Sequence, residues 1–174
     1  MGIERVKTSV QSKRYSDKFY VHSGYRLPPE MFLGNMTYII TRGGHYVGGL
    51  SVNLDSDNLR VLSQISGTPV LQDVSLKKSA EITGFWFWGD SVIDYGFFIY
   101  SLVRAVFLQK KKYFFYSYSK ENNRLKKLYS QGRSTIVYSG LMTTGEQETV
   151  EYMTKTGLLL MFLHGICRKL KPKR

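Results

Sequence analysis

Apolar positions recur with two periods along this chain. Over residues 12–23 the spacing is helical, and Gly24 follows as a stop. Pro28 and Pro29 ahead of Glu30, Met31, Phe32 and Leu33 predict a turn and a short helix. The period then falls to two. Residues 35–41 and 46–54, rich in β-branched and aromatic side chains, predict a hairpin, with Gly43-Gly44 supplying the positive φ of a tight turn. Residues 56–66 predict a short helix. The run SAEITGFWFW, residues 79–88, predicts a central strand with a possible bulge at Gly84. After GDSVIDYG, residues 97–109 return to helical spacing. A strand is expected over 112–119, a helix over 121–131 with Gly132 as its C-cap, strands over 134–142 and 147–153, and a closing helix over 156–170. With no internal repeat and no linker, this predicts one α/β domain over 1–174, with a β–α–β–α–β unit in its second half.

Composition narrows the class. Aromatics make up 14% of the chain, which excludes disorder. The single Cys167 excludes an internal disulfide and points to a reducing compartment. With His22, His45 and His164 it forms no usual zinc set, so no metal is expected. The longest apolar run, 158–163, is too short to span a bilayer, and the N-terminus has no signal-peptide core. The expected location is the cytoplasm, with peripheral membrane contact through the basic C-terminus open. The net charge of +12 implies an acidic partner or surface, or else a solvated basic face with no specific partner. The excess is uneven: residues 104–133 carry nine Lys or Arg and one acid, Glu121.

Local motifs resemble the GNAT superfamily of acyltransferases. Asn122 after a strand, Tyr129 seven residues on, and Gly132 before the next strand are similar to a spacing many of its members share. The first half resembles the N-acyl amino acid synthase branch, relatives of the autoinducer synthases. Tyr20, Gly24-Tyr25, Gly48-Gly49 with Asp55-Ser56, and Ala80-Glu81 before the central strand carry that likeness, over about residues 14–140. One departure is Gly84, where many relatives have Arg. The resemblance implies a GNAT-like domain with a mixed, mostly antiparallel sheet flanked by helices. Its central strand and the neighbouring strand splay to leave a cleft.

It also implies transfer of a fatty acyl group from a thioester to a small amine, an amino acid or related compound. That reaction needs a neutral amine, a polarised carbonyl and a stabilised thiolate. Backbone N–H groups of Phe85, Trp86 and Phe87 are the expected donors to the thioester oxygen. Glu81, at the start of an apolar strand, either binds or deprotonates the amine or forms a salt bridge with Lys77 or Lys78. Tyr129 either protonates the leaving thiolate or packs on the sheet. Asn122 either binds the pantetheine amide or caps its helix. His22 is either a second base or a surface residue.

CoA-using members usually carry a basic, Gly-rich loop after the central strand, which binds the pyrophosphate. Here the loop is GDSVIDYG, with Asp90 and Asp94 and no cation. An acyl carrier protein is acidic and presents its phosphopantetheine thioester with one phosphodiester. Lys110, Lys111, Lys112, Arg124, Lys126 and Lys127 are therefore expected to dock a carrier protein, with acyl-CoA as the alternative donor. A nucleic-acid-binding module is a further alternative, because KKKYFFYSYSK has the content of a stacking platform. Its aromatics alternate between both strand faces, however, which suits a buried strand better.

Overall fold

The computed structural model describes residues 2–67, 69, 71 and 74–170, with Arg124 and residues 165–170 described by backbone only. The elements are β1 (Gly2–Arg5), α1 (Ser9–Ser23), α2 (Pro29–Gly34), β2 (Met36–Arg42), β3 (His45–Asn53), α3 (Arg60–Ser63), β4 (Ser79–Phe87), α4 (Val92–Leu102), β5 (Tyr113–Ser119), α5 (Asn123–Ser130), β6 (Thr135–Leu141), β7 (Gln147–Thr154) and α6 (Lys155–Leu170). The strands form a seven-stranded mixed sheet in the order β1-β2-β3-β4-β5-β7-β6. The α/β class and the mostly antiparallel sheet are as expected. By internal contacts the chain divides into two compact units, Met1–Leu54 with Ile82–Lys110 and Asp55–Glu81 with Lys111–Arg174.

In the first unit, β1, β2 and β3 form an antiparallel meander. Gly43 and Gly44, at φ 56° and 79°, make the expected turn. Helix α1 starts on a capping box between Thr8 and Gln11 and ends on left-handed Gly24. Its Tyr15 and Phe19 join Phe32, Ile39 and Trp86 in the core. The Gly48-Gly49 pair now has a reason. A Cβ on Gly49 would lie 2.3 Å from the Trp86 indole, and one on Gly48 would lie 2.8 Å from the Phe87 ring. Gly84 lies within β4. It makes room for the Phe19 and Phe32 rings, and its carbonyl accepts the Tyr15 hydroxyl at 3.3 Å. Helix α4 begins at Val92, earlier than the spacing implied, and continues as a π turn over Val103–Phe107.

In the second unit the start of β4 runs parallel to β5 over three registered pairs, Ser79↔Tyr113 to Glu81↔Phe115. Strand β7 lies between β5 and β6, antiparallel to both, so the expected β–α–β step from β5 to β6 skips a place in the sheet. Phe115, Val137, Met142 and Val150 form the core with Leu59 and Val61. Gly132 is not the left-handed cap of α5; Arg133 holds that conformation, at φ 53°. Gly132 instead lies against α6, where a Cβ on Gly157 would meet the Gly132 carbonyl oxygen at 2.3 Å. Among the described residues, no helix is long and apolar enough to cross a membrane.

Candidate functional site

Glu81 is the third residue of β4 and is fully buried. Helix α3 is a single turn whose N-cap, Leu59, has no side chain able to cap it. The Glu81 carboxylate supplies the missing acceptor from another element. Val61 N–H donates to its Oε2 at 3.3 Å, and Arg60 Nε pairs with its Oε1 at 3.3 Å. Its salt-bridge partner is therefore Arg60, not Lys77 or Lys78. Burial raises the Glu81 carboxyl above the ordinary carboxylate range. The Arg60 charge and the N–H donors of Val61 and Arg60 pull against that rise. Both oxygens are thus engaged in holding α3.

Tyr129, on α5, is 8% exposed. Its ring lies on those of Tyr116 and Tyr118, with centroids 4.1 and 5.4 Å away. These two β5 tyrosines share a strand face and donate to one buried carboxylate across the sheet. Tyr116 Oη reaches Glu151 Oε2 at 3.0 Å, and Tyr118 Oη reaches Oε1 at 2.7 Å. No cation pairs with Glu151 among the described residues. Burial raises the Tyr129 hydroxyl above its ordinary range, and the Glu151 charge adds to the rise. Tyr129 therefore keeps its proton through neutral pH. Sequence reasoning missed Glu151, because its place beside Tyr116 and Tyr118 depends on the β5–β7 register.

Asn122 is the N-cap of α5: its Oδ1 accepts Leu125 N–H at 3.0 Å. Just past the end of β4, Trp88 N–H donates to Val47 O at 2.8 Å. Strand alternation then turns the Trp86 N–H toward β3 and the N–H groups of Phe85 and Phe87 to the opposite edge. The Trp86 ring sits 4.7 Å from Tyr15 and 5.8 Å from His22, so His22 stacks on the indole. Phe85 and Phe87 pack on Phe98 of α4.

The loop before α4 holds the least expected arrangement. Ser91 and Asp94 form a capping box: Ser91 Oγ accepts Asp94 N–H at 3.1 Å, and Asp94 Oδ2 accepts Ser91 N–H at 3.2 Å. The same Oδ2 also accepts Asp90 N–H at 3.2 Å. Arg42 then binds both acids through Nη1, 2.9 Å from Asp94 and 2.7 Å from Asp90. Asp94 is fully buried. A helix N-terminus is normally open to an anion. Here a buried carboxylate of the helix's own first turn accepts the two N–H groups just ahead of it, and Arg42 pairs with that carboxylate. Arg42 was not foreseen, since 48 residues separate it from Asp90. Both acids of the loop are thus paired with Arg42.

The basic residues fall into groups. Lys110 and Lys112 are exposed, and half-buried Lys111 donates to Lys77 O at 3.2 Å. Lys111 and Lys112 precede the start of β5, about 20 Å along the strand from Ser119, at ~3.3 Å per residue. Lys126 and Lys127 are exposed on α5. The side chain of Arg124 and residues 171–174 of the basic tail lie outside the described residues. Phe114, Phe115, Tyr116 and Tyr118 are all buried, so β5 offers no stacking platform for bases.

No family model and no curated protein sequence matches the chain. Solved structures do. The chain is similar to an IAA acetyltransferase from Bacillus cereus ATCC 14579, with a TM-score of 0.55 and 10% identity over 88% of this chain and 98% of that one. The ribosomal-protein-S18-alanine N-acetyltransferase from Escherichia coli gives 0.54 at 8% identity, covering 88% and 92%. A GNAT family acetyltransferase from Elizabethkingia anophelis, with acetyl-CoA bound, gives 0.54 at 8%, covering 88% and 97%. The fold is that of the GNAT acyltransferases. At these identities the likeness concerns the fold.

Proposed function

We propose that the chain is an N-acyltransferase that moves a fatty acyl group from an acyl carrier protein thioester to a small amine, an amino acid or a related compound. The observation that carries the donor assignment is the Asp94–Arg42 pair at the N-terminus of α4. A CoA pyrophosphate seated there would have to displace a buried, doubly bonded carboxylate. A phosphopantetheine arm on a carrier protein has no pyrophosphate, and an acidic carrier suits a chain of net charge +12. The resemblance to the N-acyl amino acid synthases supports the acceptor class.

In this reading the amine nitrogen attacks the thioester carbonyl. The C–N bond forms, the C–S bond breaks, and the amine gives up one proton to solvent. The thiolate takes a proton from Tyr129, which water then restores. Backbone N–H groups of Phe85 and Phe87 polarise the carbonyl. Glu81 positions α3 through Arg60 and Val61, and Glu151 holds the tyrosines that support Tyr129. Lys126, Lys127 and the Lys110–Lys112 group would steer the carrier protein.

An acyl-CoA-dependent enzyme is the second reading, favoured by the fold neighbour with acetyl-CoA bound. Mass spectrometry of lipids from cells expressing the chain tests the proposal. N-acylated amines should accumulate, and their masses would name acyl chain and acceptor. A lipid profile unchanged from that of a Tyr129→Phe, Glu81→Gln double variant would contradict it.

A further inference from the structure

A solvent-facing helix normally puts charged residues outward. Helix α4 and its π turn do not. Phe98, Leu102, Ala105 and Val106 are buried on the inner side. Yet Val92 is 76% exposed, Ile93 62% and Tyr100 50%, with Ile99 and Val103 beside them. Arg104 is the only charged residue of this helix and turn that faces outward. Ile93, Gly96, Phe97 and Tyr100 also line, with Ile3 of β1, a groove of about 470 Å³. Exposed apolar surface of this extent marks an interaction site.

Charge selects the occupant. From Ser91 to Lys110 the only acid is Asp94, buried and paired with Arg42, against Arg104 and Lys110. Arg5 is exposed and leaves β1 on the same face as Ile3, whereas Glu4 leaves on the other. A second copy would bring +12 against +12, which opposes association. An apolar stripe with cations and no free acid fits an anionic lipid layer, into whose interface Tyr100 would also partition. We propose that the outer face of α4 seats this chain on an anionic membrane surface, as a peripheral contact that does not span. The inference is independent of acyl transfer.

The test is co-sedimentation of the full chain with vesicles of phosphatidylcholine alone or mixed with phosphatidylglycerol. Binding should need the anionic lipid and weaken at high salt. Ile93→Glu with Tyr100→Glu, both at exposed positions, should lower partitioning at least tenfold with an unchanged circular dichroism spectrum. Arg104→Glu should lower it on anionic vesicles, which reports the charge contribution separately. The proposal is overturned if no vesicle binds, or if the double variant binds like the wild type, since another surface then carries the contact. It is equally overturned if the wild type sediments as a dimer that the double variant dissolves, because a second copy would then occupy the face.

Discussion

Tyr129 and Glu81 show how far a single residue's surroundings decide its use. Tyr129 is packed on two tyrosines beside the buried Glu151 carboxylate, and burial with that charge keeps it protonated. Tyr129→Phe should lower kcat about tenfold, below the ~10²–10⁴ common for general acids, because a thiolate leaves with little help. The loss should vanish with an acyl donor whose thiol is more acidic; an equal loss with both donors would remove Tyr129 from proton transfer. Glu81 gives a pH prediction. Its folded carboxyl is raised above the ordinary value, so its contribution to stability is full below the unfolded value and is lost as pH rises through the folded one. Glu81→Gln should abolish that part of the decline. Urea midpoints from pH 4 to 8 should therefore fall less steeply in the variant, and parallel profiles would contradict the assignment. Both residues could be named from the sequence, because each stands in a spaced motif. Their partners could not: Arg60 and Glu151 lie in other elements, and nothing local to Glu81 or Tyr129 points to them.

Among the elements, α4 is where sequence reading and structure part. GDSVIDYG looks like a loop because two glycines and two aspartates interrupt the apolar spacing. Its Ser91-x-x-Asp94 is a capping box written with Asp in place of Glu or Gln, and the helix starts there. The hairpin, by contrast, was legible from period two and Gly43-Gly44 alone. Strand β1 was not, since its GIER has no alternation and is defined only by pairing with β2. The same cap yields an element-scale prediction. Asp94→Ala removes a buried acceptor of two N–H groups and half of the Arg42 pair, and should cost about 2–4 kcal/mol. Asp90→Ala, at an exposed side chain, should cost under about 1 kcal/mol. Chemical unfolding separates the two, and equal losses would mean that Asp94 does not anchor the helix.

At the scale of the whole molecule, the order of helices and strands was readable, but the position of β7 between β5 and β6 was not. A spacing pattern records which segments are strands and is silent on which ones pair. Charge acts at this scale too. The proposed carrier-protein and membrane contacts are two places where the net charge of +12 would act. The proposal that the Asp94–Arg42 pair disfavours a CoA pyrophosphate and leaves a carrier protein as donor is tested most directly by one comparison. Transfer to a common amine would be measured from an acyl carrier protein and from acyl-CoA carrying the same chain. The account predicts a kcat/KM at least about tenfold higher for the carrier protein, with the advantage shrinking at high salt as steering is screened. A better rate from acyl-CoA, with Asp94 and Arg42 in place, would contradict it.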